Sequence, residues 1–456
     1  MSMPARRFPT VPDCQCRLAP LRLSAQLSCY NHIAALAVAR SVSPPTIYAL
    51  LRETNSRMNH DRRLRSLAAS NPLRASAHWQ HALNRRQVLA GLAATGLAAA
   101  GCSPGGNGGR PLALLTWDAY ADPRLLEQWR AKTGETIRYE IHVSDPTSVN
   151  RLRAGETRVW DFVNLNNPWA RKELWPAGLI RDLPRERFEP LYNRMFEKFA
   201  PPYHWAMSAD GDHLLGVVQR FENFDFIVNS KVISPATAKN IGWDLFNDPA
   251  MAGRYGILAY EDWNVMDICM GAGIHPFRDK TAEDYSRFEK TARRWINNAR
   301  LITTDFATLN LAVINGEIDA YFSSGTYSVT SARLEGIDYL YAVTPESGPA
   351  DGKGGINWIE LNSAIANPDP HPDALEFLEW ITQPGPAVII ANGNGNLQPV
   401  SQMAQPEVLA KFSKAQLDAL QWDEFDERIA NAVEYDIVPG YDRLYDIYSA
   451  AIRARR

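Results

Sequence analysis

The residues best suited to catalysis or metal binding are dispersed along this 456-residue chain. His142, His204, His213, His275 and His371 stand far apart, and the sequence contains no HExxH zinc helix, no GxSxG nucleophile elbow and no GxxxxGK phosphate loop. From Cys102 onward the cysteines are Cys102 and Cys269, too few for a disulfide framework or a cysteine ligand set. A different pattern recurs, in which an aromatic or polar residue follows an apolar run of strand length. Trp117 and Tyr120 follow Leu112–Thr116, and Asn166 and Trp169 follow 159–165. Glu261 to Asn264 follow 257–260, and Ser323, Ser324 and Thr326 follow 318–322. In open α/β sheets, side chains at the carboxyl ends of strands line ligand clefts. The pattern therefore points to binding without an enzyme's machinery, and it calls for neither cofactor nor metal.

The elements that must position these residues are legible in outline. Asp122-Pro123 supplies a cap and a first-turn proline for a helix through Leu125, Leu126 and Trp129, which Gly134 ends. Strands at 137–141 and 159–165 complete a strand-helix-strand unit. Runs at 214–218 and 224–228, separated by the polar 219–223, read as two short strands where the chain passes from one lobe to another, and a new unit starts at Pro235. Arg220 in this crossing reads either as surface or, beside a cleft, as a clamp for a carboxylate. Cys269 reads as a small buried hydrophobe.

The charge distribution separates a leader from the rest. The first 101 residues hold 13 arginines, no lysine and three acids, which leaves 35 basic against 48 acidic residues beyond them, a net of −13. Such a chain is unsuited to phosphate backbones, so nucleic acid is not an expected partner. Arg85-Arg86, a Gly- and Ala-rich run and Ala99-Ala100-Gly101-Cys102 resemble a twin-arginine signal ending in a lipobox. These features predict an export region at 1–101, with translation starting near Met58, a lipidated Cys102 and a flexible tether at 102–110. The 355 residues from Cys102 suffice for two domains.

Beyond the tether, "LLTWDAYADPRLLEQWRAKTGETI", "WDFVNL", "GWDLFNDPAMAGRYGIL", "INGEIDAYFSSGTYS", "GGINWIELNSAIAN" and "PDALEFLEWITQPGPAVIIANGNGNLQPV" occur in that order. Together they resemble the bacterial extracellular solute-binding proteins of the spermidine/putrescine-binding type. The resemblance implies an α/β fold of the periplasmic-binding-protein type II, with two α/β lobes joined by crossing strands and a ligand cleft between them. It places 111–227 with 359–400 in lobe I, and 228–358 with 401–456 in lobe II. It implies aromatic ligand contacts at Trp117 and Trp358, with Tyr120 beside the first, a polar contact at Asn166, and acids at Glu261 and Glu360 that meet ammonium groups. The sequence departs from the family at Asn264, where a further carboxylate is expected, at Ser323 or Ser324 in place of a pocket tryptophan, and at Gln219-Arg220-Phe221 in the crossing.

With these roles in place, Trp358 and Glu360 lie two apart on a strand and lean to one face, which suits one amine, and Glu261 across the cleft suits a second. The resemblance thus implies a monomeric, extracytoplasmic component of an ABC importer. It would bind a putrescine- or spermidine-like polyamine, meet an ABC permease, and touch the membrane only through a lipid anchor at Cys102. An amino-acid or opine-like zwitterion held by Arg220, a ferric ion held by tyrosines such as Tyr327 and Tyr341, and an exported enzyme are the alternatives.

Overall fold

The computed structural model describes residues 110–455, apart from 143, 202 and 203. The expectations for the leader, the tether up to residue 109 and Cys102 lie outside the described residues. Ten strands form one continuous hydrogen-bonded array: β1 (Leu112–Thr116), β2 (Ile137–Ile141), β3 (Phe162–Asn166), β4 (Val217–Asn229), β5 (Tyr255–Leu258), β6 (Leu301–Thr303), β7 (Ala320–Ser324), β8 (Leu340–Val343), β9 (Gly355–Ala364) and β10 (Ala432–Glu434). Their order is β2-β1-β3-β9-β4-β7-β5-β6, with β10 beside β9 and β8 beside β4. Six helices bear on the argument: α1 (Pro123–Thr133), α2 (Asp145–Arg153), α3 (Glu261–Gly271), α4 (Ala282–Asn298), α5 (Phe425–Ala430) and α6 (Tyr441–Ala454).

Local signals account for the first lobe. β1 is apolar and wholly buried, as befits a central strand with parallel neighbours on both sides. α1 starts where the Asp122 carboxylate accepts from the Arg124 backbone and ends at Gly134, whose φ of 80° needs no Cβ. Ser144 caps α2 in the same manner, with proline in its first turn.

The lobes are joined by long strands rather than loops. The two short runs expected around residues 214 and 228 are one 13-residue strand, β4, buried along its whole length. It pairs antiparallel with β9 from Val217↔Asn362 to Phe224↔Ile356, with a register shift between Val218 and Phe221. The hydrophobic core divides within this pair. Phe221 and Ile359 belong to a core built on β1, β3 and the helix Ala374–Trp380, whereas Phe224 and Trp358 belong to one built on α3, α4 and α6. A smaller cluster around Leu309, Val313 and Leu340 covers the other face of the second lobe.

The segment after residue 400 differs from its expected place in lobe II. Met403, Val408, Phe412 and Leu420 pack into the first core, and the chain joins the second from β10 onward, through Val433, Tyr435, Leu444 and Tyr448. The reason is compositional: Trp422, Phe425 and Ile429 close over Phe196 and Phe221, so this stretch seals the first lobe before crossing back along β10.

Candidate functional site

The carboxyl ends of β1, β3 and β5, the first turns of α2 and α3, and the middle of β9 converge where the two cores part. On the first lobe, Asn166 ends β3 directly opposite Glu360 in the β3–β9 ladder. Its Nδ2 donates to Asp145 Oδ2 at 2.7 Å and its backbone N–H to Oδ1 at 3.4 Å. With Nδ2 so engaged, the amide oxygen is buried with no partner among the described residues. Burial foremost, then the charges of Asp262 and Glu360, push the Asp145 carboxyl up to about 7, against the Asn166 hydrogen bonds.

Glu360 itself is engaged within the protein. Arg220 Nε donates to its two oxygens at 3.1 and 3.0 Å and Nη2 to Oε1 at 2.5 Å, with both side chains buried. Nη1 is 3.9 Å from Asp118 Oδ1, and the guanidinium carbon is 5.8 Å from the Tyr120 ring. Arg220, expected either at the surface or as a carboxylate clamp for ligand, thus clamps a carboxylate of its own chain. Tyr120 is fully buried, and its hydroxyl accepts from Asn362 Nδ2 at 3.1 Å. Trp117 is half-buried, 4.3 Å from the ring of His142, whose pKa burial lowers to about 4.

The second lobe contributes an aromatic wall. Tyr260, 38% exposed, lies 4.6 Å from Trp263, which is 4.9 Å from Phe224. Trp358 sits 6.4 Å from Phe224 and 6.5 Å from Tyr327. The indole N–H of Trp358 and the hydroxyl of Tyr327 are buried without a partner among the described residues. Glu261 opens α3 and is exposed; Asp262 beside it accepts from the Tyr441 hydroxyl, and burial, with Glu261 near, raises its pKa. Trp169 joins the lobes: it packs against both cores and donates to the Tyr435 hydroxyl at 2.9 Å.

Two expected contacts lie deeper. Asn264 is fully buried, donates to Leu258 O at 2.9 Å and Ser323 Oγ at 2.6 Å, and accepts from Tyr448 at 2.7 Å, so it ties α3 to β5, β7 and α6. Ser324 is also fully buried, hydrogen-bonded to Ser328. Beside it Ser323 takes φ 63°, a strained conformation for a non-glycine residue, and donates to Asp267 at 2.5 Å. Burial pushes the Asp267 carboxyl up to about 8.

Sequence reasoning did not single out Asp145 or Tyr435, had Asp262 only as one of the residues after 257–260, and had Tyr327 as a ferric-ion contact rather than a wall residue. Asp145 carried a signal, since Ser144-Asp145-Pro146 is a helix start that puts a carboxylate at the cleft edge. Tyr435 carried none.

Folding also assembles features away from this region. Glu135, His371 and Asp373 offer ligand atoms within 4.8 Å of one another. Both His371 nitrogens are nevertheless taken, Nε2 by Glu135 at 2.9 Å and Nδ1 by the Asp373 backbone at 3.2 Å. A cavity of about 480 Å³ is lined by Trp205, His275, Phe277, Lys353, Asn357 and Glu434 among others. Asn357 alternates with Trp358 along β9, so this cavity lies on the other side of the strand from Trp358 and Glu360.

No family model and no curated protein matches the sequence. Solved structures do match the fold. A Listeria monocytogenes protein assigned as a spermidine/putrescine ABC transporter matches with a TM-score of 0.58 at 16% identity, over 75% of this chain and 99% of that one. The spermidine/putrescine substrate-binding protein PotD of Streptococcus pneumoniae matches with 0.57 at 14%, over 75% and 100%. The binding protein MotA of A. tumefaciens B6, solved with glucopine, matches with 0.50 at 13%, over 76% and 98%. Among the described residues no helix is long and apolar enough to cross a membrane. With two cores, crossing strands β4 and β9 and a cleft between them, the chain has the type II periplasmic-binding-protein fold of these ABC-transporter substrate-binding proteins.

Proposed function

We propose that this protein is the extracytoplasmic substrate-binding component of an ABC importer and that its ligand is a small cationic amine of the putrescine or spermidine kind. The observation that carries the reading is the charge balance of the cleft. Asp118, Asp145, Glu261, Asp262 and Glu360 border it, and Arg220, the one guanidinium beside them among the described residues, is held by Glu360. A carboxylate ligand would share Arg220 with Glu360 and Asp118 and enter a field of acids. An alkylammonium meets carboxylates and the faces of Trp117, Trp358 and Trp263, worth about 2 kcal/mol per desolvated aromatic contact and about 1.5–3 per charge-assisted hydrogen bond.

In this reading the protein catalyses nothing. Closure of the lobes about β4, β9 and β10 buries the ligand and presents a joint surface to a permease. A lipid on Cys102 holds the monomer at the membrane; intact mass of protein from its native membrane, with 1–101 removed and an acyl adduct present, is the expected result. The ligand class is tested by a thermal-shift screen of amines, amino acids and opine-like compounds, because a ligand of the folded form raises its melting temperature. Shifts with diamines and triamines alone support the reading. Shifts confined to zwitterions overturn it.

A further inference from the structure

We propose that Asp145, rather than Glu360, is the carboxylate that receives the ligand's ammonium on the first lobe, with the Asn166 amide oxygen as its second acceptor and Asp262 facing it from the other lobe. The inference deepens the amine reading above and rests on it.

Three observations converge. The ion pairs among the described residues give Glu360 to Arg220 and leave Asp145, which is buried, with no cationic partner. A buried carboxylate without a counter-charge is costly, and a cation arriving beside it removes that cost. Next, Asn166 bridges Asp145 and the β9 ladder, and its Oδ1 is buried and unpartnered, in a position fixed by the Nδ2 bond to Asp145. An ammonium has three donors, so a carboxylate oxygen and an adjacent amide oxygen satisfy two of them.

The third observation is that the site spans the cleft. Asp145 opens α2 of the first lobe and Asp262 lies in the first turn of α3 of the second, and between the lobes Trp169, packed against both cores, donates to the Tyr435 hydroxyl after β10. One diamine across this gap neutralises an acid on each lobe, which ties ligand charge to closure.

The arrangement predicts a pH signature. Facing Asp145 are Asn166 on β3, Glu360 on β9, Asp262 on α3 and Tyr435 after β10, and together with burial the two acids hold its carboxyl near 7. A bound cation favours the ionised form, so amine affinity rises as pH rises from 6 to 8.

Calorimetric titration with putrescine and spermidine, on the wild-type chain and on Asp145→Asn at pH 6 and pH 8, is the test. The substitution keeps size and one acceptor oxygen. Asp145→Asn is expected to bind about ten- to a hundredfold more weakly at pH 8 and to lose most of the pH dependence. Equal affinity in the two proteins overturns the role of Asp145 and leaves the amine reading intact. A wild-type chain that binds neither amine overturns both. Should the variant fail to fold, the Asp145 carboxyl carbon followed by NMR in the wild-type chain decides: its pKa falls on adding putrescine if the inference holds and stays unchanged if it fails.

Discussion

Replacing Glu360 with glutamine separates a residue that waits for ligand from one that holds the protein together. In the structure Glu360 is 3% and Arg220 5% exposed in their side chains, and three short donor contacts join them. Removing one charge of such a pair leaves the other buried and uncompensated, which typically costs about 3–5 kcal/mol. Two features reduce the figure. The glutamine carbonyl still accepts one hydrogen bond from Arg220, and Asp118, half in solvent at 3.9 Å, retains some attraction. The expected loss for the ligand-free protein is therefore about 2–4 kcal/mol, taken from urea unfolding curves with the slope unchanged. Replacing both residues together, as Arg220→Met with Glu360→Leu, removes the stranded charge and should recover most of the loss. If Glu360→Gln unfolds within about 0.5 kcal/mol of wild type, the range of an ordinary surface substitution, the pair does not carry the weight assigned to it here and Glu360 returns to the pool of ligand contacts.

Asp267 gives a second stability prediction. Its carboxyl has a pKa of about 8 in the folded chain against 3.8 as the ordinary value, so the folded state keeps a proton that the unfolded state releases. Its contribution is complete below about pH 4 and is lost as pH rises toward 8, by up to about 1.4 kcal/mol per pH unit. Asp267→Asn keeps a carbonyl to accept from Ser323 and should flatten the fall in melting temperature between pH 5 and 8; an unaltered profile contradicts the assignment. Gly271→Ala tests the packing of α3 on α4, because a Cβ there would lie 2.0 Å from the Trp295 ring, whose side chain is fully buried. An overpacking loss of about 2–3 kcal/mol is expected, and a neutral substitution would mean that the helices separate more easily than the structure implies.

The strands of the first lobe could be read because each is a short apolar run closed by a turn signal, and the cap, first-turn proline and terminal glycine of α1 fixed its limits. The crossing could not be read in the same way. Gln219, Arg220, Glu222 and Asn223 make it look like a loop, yet all are buried. Gln219 donates to Ile381 O at 2.7 Å and Asn223 to Arg428 O at 2.8 Å, while Glu222 accepts from Arg428 at 2.7 Å. Polar residues are tolerated inside a sheet when such partners satisfy them, but these partners lie well over a hundred residues away. The same limit governs the site. The rule that ligand contacts follow strand ends makes Trp117, Tyr120, Asn166 and Trp169 candidates, although Tyr120 is wholly interior. Asn264 and Ser324 obey it too and are nevertheless interior, because Tyr448 and Ser328 cover them. The Arg220–Glu360 pair joins residues 140 positions apart, which composition does not reveal.

Isothermal titration of the purified chain with spermidine and with putrescine, beside a zwitterionic amino acid of similar length, tests the central claim most directly. The account predicts saturable binding of at least one amine at one site per chain, stronger at pH 8 than at pH 6, and no heat with the zwitterion. Saturable binding of the zwitterion with none of either amine would contradict it.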